Sequence, residues 1–166
     1  MKKAVLCFLC VLLMAVGSLS VVTVSAASGG IGSVLLSKLN QTTPTDATAI
    51  KNLQIILTTF GNYRGNYTGK WDAATKNAVI YFQGRNSLAT DGIVGPKTLT
   101  ALVQACLKEF YKSGVKGAID PGAIDGVWGT NTSNAVYAFQ CFANLSPDRV
   151  VGDATWAALG KVFSSQ

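Results

Sequence analysis

The chain has 166 residues, which suits one or two small domains. It contains no histidine and one glutamate, Glu109, so histidine-ligated zinc centres, Ser-His-Asp triads and Cys-His pairs are excluded. The formal net charge of +6 is spread along the chain. Such diffuse charge suits a polyanionic surface, whereas nucleic-acid binding would call for a basic stripe with interleaved aromatic residues.

Residues 1–26 have the pattern of a secretory signal peptide. Lys2 and Lys3 give a positive start, residues 4–16 are apolar, and residues 24–26 (Val-Ser-Ala) supply the small side chains that a signal peptidase needs. We expect cleavage after residue 26, which would leave 12 basic and 8 acidic residues and a formal charge of +4. An uncleaved membrane anchor stays open, because the apolar run is long enough to span a bilayer.

A single module is used twice in the rest of the chain. Residues 75–102 and 132–159 align without a gap and share 13 of 28 positions, where ordinary composition would give about two. Within this window AVIYFQ at 78–83 matches AVYAFQ at 135–140. We therefore predict repeat 1 at 50–103 and repeat 2 at 104–166. Residues 27–49, rich in Ser, Thr and Gly, are predicted to form a flexible tether.

Each repeat contains three apolar stripes with the i, i+3, i+4, i+7 spacing of a helix and no convincing period-2 alternation. The stripes begin at Leu53, Thr75 and Thr98 in repeat 1, and at Val103, Thr132 and Thr155 in repeat 2. Asp72 fits a helix N-cap, and Pro96 fits a first helical position. The predicted fold class is all-α, with two tandem three-helix bundles.

The two repeats are predicted to share one long helix. No Gly or Pro stands between Pro96 and Gly114, so the last helix of repeat 1 can continue into the first helix of repeat 2. The stripes that begin at Thr98 and Val103 would point about 140° apart on such a helix and serve two cores. This leaves an exposed stripe made of Lys97, Thr100, Gln104, Lys108 and Lys112.

Several motifs recur in the same order in both repeats. They are Leu53-Gln54, an aromatic-Gly turn, Asp125-Gly126-Val127-Trp128-Gly129, a Thr-x-x-Ala-Val-x-x-Phe-Gln helix, Asp91-Gly92-Ile93-Val94-Gly95 and a Thr-led helix. Over nearly all of residues 50–163 this order resembles the peptidoglycan-binding domain 1 family. The resemblance implies a three-helix module that holds exported bacterial cell-wall hydrolases to peptidoglycan. Repeat 1 departs from it with Thr68-Gly69 and with Asp72 in place of Gly, and repeat 2 departs with Asp148-Arg149.

The candidate ligand contacts are amphipathic or polar side chains off the core stripes. The tyrosines are placed in loops or on outer helix faces, and Arg85 could pair with a peptide carboxylate. The amides of the two glutamines either bond a stem peptide or cap backbone, and the two aspartates either hold turns or contact ligand. The candidates are Tyr63, Tyr67, Tyr81, Gln83, Arg85, Asp91, Tyr137, Gln140 and Asp148.

Cys106 and Cys141 either form a disulfide or are two small buried residues. No metal ligand set and no cofactor is predicted.

We expect a secreted, cell-wall-associated protein that binds peptidoglycan without catalysis. A wall hydrolase with its own active site is disfavoured, because zinc peptidases usually need histidine and 23 residues before the first helix cannot hold a catalytic domain. A further alternative is an adaptor that recruits a separate lytic enzyme, or a structural protein of the spore or envelope. Membrane contact is expected only if residues 1–26 are retained.

Overall fold

A computed structural model describes residues 29–164, so the predicted signal segment lies outside the described residues. The all-α class is confirmed. The elements are β1 (Gly30–Ile31), α1 (Ser33–Leu39), α2 (Ala47–Phe60), α3 (Ala73–Arg85), α4 (Pro96–Lys112), α5 (Thr130–Phe142), β2 (Val150–Val151) and α6 (Asp153–Phe163). Among these helices, none combines the length and the apolar character that crossing a membrane requires.

The segment before α2 is packed, in contrast to the tether expected from its composition. Strand β1 pairs in parallel with β2, with Gly30 opposite Val150. Helix α1 buries Leu35 and Leu39 completely. The Nζ atom of Lys38 lies 2.6 Å from a carboxylate oxygen of Asp153, at the start of α6. Two leucines four residues apart on one helix face are enough to anchor a segment that is otherwise rich in Ser, Thr and Gly.

Helix α4 runs without a break from Pro96 to Lys112, which confirms the shared helix. Every residue from 98 to 107 is buried, because both repeats pack around this helix. The predicted exposed stripe is therefore wrong at Thr100 and Gln104, which are 5 % and 1 % exposed. Lys97 and Lys112 are exposed as predicted, and Lys108 is half-buried.

The repeats also meet at their other ends, where α2 of repeat 1 packs along α6 of repeat 2. The indole Nε1 of Trp156 donates a hydrogen bond to the carbonyl of Ala49 at 3.2 Å. The rings of Phe60 and Phe163 meet edge to face, with their centres 5.4 Å apart. One hydrophobic core runs through both repeats as a result, rather than one core in each of two separate bundles.

Four buried glutamines connect successive helices through the loops between them. They are Gln54, Gln83, Gln104 and Gln140, each at most 1 % exposed. The side-chain amide of each one reaches the loop that follows its helix and a threonine in the first turn of the next helix. We call these arrangements glutamine clamps 1 to 4, in chain order.

Clamp 2 shows the contacts that define the arrangement. Nε2 of Gln83 lies 2.8 Å from Oδ1 of Asp91, 2.9 Å from the carbonyl of Ile93 and 3.0 Å from the hydroxyl of Thr98. In return, Oε1 of Gln83 accepts the N–H of Gly92 at 2.9 Å. The equivalent partners are Asp125, Gly126, Val127 and Thr132 in clamp 3, and Asp148, Arg149, Val150 and Thr155 in clamp 4.

Clamp 1 departs at the positions where the sequence departs from the family pattern. Thr68 stands in place of the aspartate, and its hydroxyl lies 3.5 Å from Nε2 of Gln54, a weak contact. Asp72 stands where the other clamps have a glycine before the helix. Its carboxylate accepts both the N–H and the hydroxyl of Thr75 at 2.7 Å. The N-cap aspartate thereby supplies a charge-assisted bond that clamps 2 to 4 lack at this place.

We expect removal of one clamp to destabilise the whole fold. In Gln104→Leu, the N–H of Gly126 and the carbonyl of Val127 lose their buried partner, so the free energy of unfolding should fall by about 3 kcal/mol. Urea denaturation followed by circular dichroism measures this change. The matched control is Gln41→Leu, at an exposed glutamine, which should change stability by less than ~0.5 kcal/mol. Equal losses in the two variants would contradict a structural role for the clamp.

Candidate functional site

A groove of about 540 Å³ opens where the loop of clamp 2 meets the loop of clamp 3. Its lining residues are Ser87, Leu88, Ala89, Asp91, Ile93, Gly95, Pro96, Lys97, Thr98 and Asp125. All but the last lie between α3 and the first turn of α4, in repeat 1. Asp125 comes from repeat 2, so the groove lies at the junction of the two repeats.

Close approach of the clamp 3 loop to α4 forms this junction. Gly126 has a φ of +72°, and a Cβ atom placed on it would lie 2.6 Å from the carbonyl oxygen of Lys97. Only glycine lets the turn sit so near the start of the helix. The clamp 2 loop leads directly into the same helical turn. Both walls of the groove are therefore set against the first turn of α4, and a single repeat supplies only one of them.

Two carboxylates in the groove are oriented by their clamps. Oδ1 of Asp91 accepts from Gln83 and from the N–H of Ile93, both at 2.8 Å. Oδ1 of Asp125 accepts from Gln104 and from the N–H of Val127, both at 2.9 Å. In each carboxylate, Oδ2 makes no hydrogen bond to any residue between 29 and 164. These two oxygens are available to accept from hydroxyl, amide or ammonium groups of a ligand.

The Asp125 carboxylate is held in its ionised form. Its hydrogen bond from the N–H of Val127, followed by the one from the Gln104 amide, lowers the pKa of Asp125 below its ordinary value of 3.8. At neutral pH this group is an anion and a hydrogen-bond acceptor. Lys97 places a positive charge in the same groove, while Leu88 and Pro96 add apolar surface.

A second, smaller depression of about 260 Å³ adjoins the groove at Asp125. Its remaining lining residues are Gln104, Pro121, Gly122, Ala123, Val127, Gly129, Thr130, Asn131 and Thr132. Since Asp125 lines both depressions, they lie side by side and offer an extended ligand a continuous path across the repeat junction.

Three of the sequence-predicted contact residues are buried. Tyr63 is 3 % exposed, and its hydroxyl donates to the carbonyl of Asn66 at 2.7 Å. Burial raises the pKa of the Tyr63 hydroxyl. Gln83 and Gln140 lie inside clamps 2 and 4, so their amides bond backbone and leave no surface to offer a ligand.

The other candidates lie on the surface, but only Asp91 lines the groove. Tyr67 and Tyr81 are 41 % and 44 % exposed, and the Arg85 guanidinium carbon lies 5.9 Å from the centre of the Tyr81 ring. Asp148 is exposed and Tyr137 is half-buried, both in repeat 2.

Lys97 and Asp125 are groove residues that were not among the predicted contacts. Asp125 had a sequence signal, since it opens the same Asp-Gly turn as Asp91. Lys97 had none, because its place in the groove follows from the approach of a loop from the other repeat.

Cys106 and Cys141 are both free thiols in the structure. Cys106 is fully buried in α4, and this burial raises the pKa of its thiol. Cys141 is half-buried on α5. Within residues 29–164, no three His, Cys, Asp or Glu side chains are grouped so that they could hold a metal ion.

Comparison with known proteins gives a family match in both halves of the chain. The family described as "Putative peptidoglycan binding domain" matches residues 46–102 and 101–159. A protein of Bacillus licheniformis named "Probable N-acetylmuramoyl-L-alanine amidase" is 28% identical over 147 residues, which cover 66% of this chain and 41% of that protein. The chain thus spans less than half the length of this relative. No solved structure is a significant match.

We expect stability to depend on the ionised turn aspartates at acid pH. Hydrogen bonds from Thr75 lower the pKa of Asp72, as those from Val127 and Gln104 lower that of Asp125. Because both pKa values are lower in the folded state, this stabilisation is present above the unfolded pKa of about 4 and is lost as the pH falls below it. Thermal melting followed by circular dichroism should give a constant midpoint between about pH 7 and 5 and a falling one below about pH 4.

Asp125→Asn separates the contribution of one carboxylate from general acid unfolding. The asparagine oxygen can still accept from Gln104 and Val127, but it carries no charge to lose. The variant should therefore show a smaller drop in melting midpoint between about pH 5 and 3 than the unmodified protein. An identical drop in both proteins would show that Asp125 does not contribute.

Proposed function

The chain belongs to the peptidoglycan binding domain family, and we propose that it is an exported, non-catalytic protein that binds bacterial cell-wall peptidoglycan through the groove between its repeats. The observation that carries this proposal is a groove whose walls come from both matched segments. A tandem pair of modules thus provides one binding surface that neither module has alone.

The chemistry of the groove suits a glycopeptide polymer. Peptidoglycan presents sugar hydroxyls and amide N–H groups. The Oδ2 atoms of Asp91 and Asp125 can accept hydrogen bonds from these groups. Lys97 can pair with a carboxylate of the stem peptide, and Leu88 and Pro96 can contact the apolar faces of sugar rings. The formal charge of +4 that remains without residues 1–26 favours approach to an anionic wall.

The state of the carboxylates supports binding rather than catalysis. A general acid for glycoside or amide cleavage at neutral pH needs a raised pKa. Bonds to the backbone and to Gln104 instead lower the pKa of Asp125, the groove carboxylate at the centre of the two depressions. One oxygen of Asp91 and one of Asp125 are also committed to holding their own loops.

The amidase relative favours a second candidate, an accessory or adaptor that places a separate lytic enzyme on the wall. The similarity covers 41% of that relative, which is consistent with a shared wall-binding portion. Under either candidate the protein works outside the cell, associated with the wall, and needs no cofactor. The two differ in whether a hydrolase is a partner of the bound protein.

A block in the groove should weaken wall binding. Ala89 is exposed and lines the groove without belonging to a clamp, so Ala89→Trp fills the space while leaving the loop bonds intact. Co-sedimentation with purified peptidoglycan sacculi should show a loss of affinity of roughly tenfold, or ~1.4 kcal/mol. Ala74→Trp, at an exposed alanine on α3 outside the groove, is the matched control and should bind like the unmodified protein.

Three outcomes would count against the proposal. Failure of the unmodified protein to sediment with sacculi at moderate salt would remove wall binding. Equal binding by Ala89→Trp and Ala74→Trp would show that the wall-binding site lies outside the groove. Release of soluble wall fragments by the purified protein would show that it is an enzyme. Retention of a separate hydrolase on sacculi only when this protein is present would favour the adaptor role.

A further inference from the structure

One residue in clamp 4 breaks the pattern of the other three clamps. In each clamp, one N–H group that donates to the glutamine oxygen belongs to a residue with positive φ. That residue is Gly69, Gly92 or Gly126 in clamps 1 to 3, at φ of +68°, +69° and +72°, and it is Arg149 in clamp 4, at +64°. Glycine performs this backbone task without strain, whereas an L side chain is disfavoured in this conformation. The backbone of Arg149 is therefore held in a strained conformation. Since glycine would serve the backbone without strain, the feature that the arginine adds is its side chain.

The side chains around this position are crowded in repeat 1 and different in repeat 2. A Cβ atom at Gly92 would lie 3.0 Å from Cε of Lys76 and 3.2 Å from Cγ1 of Ile80. At the corresponding positions 57 residues later, the sequence has Ser133 for the lysine and Tyr137 for the isoleucine. The three positions thus differ together between the repeats: the turn residue gains a side chain, one neighbour becomes small and the other becomes a flat ring.

The new neighbours hold the arginine in place. The guanidinium carbon of Arg149 lies 4.4 Å from the centre of the Tyr137 ring, which is within stacking distance. The backbone of Arg149 is fixed from two sides, because its N–H donates to Gln140 at 2.9 Å and its carbonyl accepts the N–H of Gly30 in β1 at 3.2 Å. The hydroxyl of Ser133 is buried and makes no hydrogen bond among the described residues, so this serine supplies space rather than a bond.

The donors of the guanidinium are not used inside the described part of the protein. Between residues 29 and 164, the Arg149 side chain forms no ion pair and donates no hydrogen bond. The adjacent Asp148 directs Oδ1 to Gln140 and to the N–H of Val150, both at 2.8 Å, rather than to the arginine. A guanidinium placed over an aromatic ring can still offer its N–H donors, whose fork matches the two oxygens of a carboxylate.

We propose that Arg149, supported by Tyr137, is a carboxylate-binding site on repeat 2 that takes a carboxylate of the peptidoglycan stem peptide. This proposal rests on the proposed wall-binding function and adds to it a moiety that the groove alone does not specify. It also assigns different tasks to the two repeats, since Gly92 in repeat 1 offers no side chain at the equivalent position. The stem peptide is the component of peptidoglycan that carries carboxylates in a short chain with free ends.

The test uses soluble stem peptide in two forms, one with free carboxyl groups and one with the same groups amidated. Titration calorimetry of the unmodified protein should show at least tenfold tighter binding of the free form. Arg149→Gly should lose this preference, and it should fold, because glycine occupies the same turn in the other three clamps. Arg149→Lys keeps the charge but loses the planar fork, so it should lose most of the preference as well. Arg64→Gln, at an exposed arginine of repeat 1 that is not among the candidate contacts, is the control and should keep the preference.

The outcomes separate this proposal from the general function. Sacculi that sediment the unmodified protein and Arg149→Gly equally, with equal affinity of both for the free peptide, would overturn the carboxylate site and leave wall binding intact. Absence of any sedimentation would overturn the proposed function itself. Displacement of the peptide by inorganic phosphate but not by acetate at equal concentration would show that the site takes a phosphate, which also overturns the carboxylate assignment.

Discussion

The buried glutamine amide is the interaction on which the rest of the structure depends. Each of the four glutamines satisfies peptide groups in the segment that connects its helix to the next one. Those peptide groups would otherwise be buried without partners, at a cost of about 1–3 kcal/mol each. Helices α3, α4 and α5 each carry a threonine in the first turn and a glutamine further along. Each of these helices is thus bonded to the loop before it and to the loop after it, and the chain of helices is continuous.

The clamps also explain how a small module can present a defined surface. A loop held by a buried amide keeps its carboxylate in one orientation, because one carboxylate oxygen is bonded to the glutamine. Asp91 and Asp125, held in this way, line the same groove. The groove is therefore preorganised by bonds in the interior, and the proposed binding of a ligand would cost little conformational freedom.

The tandem arrangement adds features that one module does not have. Residues 98–107 of the shared helix α4 are buried between the two repeats, and α2 and α6 pack together at the other end of the molecule. Because the repeats cannot move independently, the groove between them keeps its shape. Repetition also leaves room for divergence, since a backbone position served by glycine in three clamps carries Arg149 in the fourth.

The predictions that depend on local pattern were the successful ones. The all-α class, the unbroken helix from Pro96 to Lys112, the N-cap at Asp72 and the duplicated module follow from spacing within a few turns of helix. The predictions that required knowledge of a neighbour were less successful. Gln104 looked like an exposed residue because its helix was considered without the loop that covers it. Residues 30–39 looked like part of a tether because the segment is rich in Ser, Thr and Gly, and the sequence does not show the surface that buries its leucines.

The sequence by itself determined that one helical module occurs twice, which family it resembles and where helices α3 and α4 begin, because these properties are set by residues close together in the chain. The tertiary structure alone decided which polar side chains face inward and which line the groove. Gln104 and Asp125 are 21 residues apart, and Trp156 and Ala49 are 107 apart. Burial depends on elements that meet in space. The amide of Gln83 is therefore a possible ligand contact when only the sequence is considered, whereas in the fold it bonds a loop.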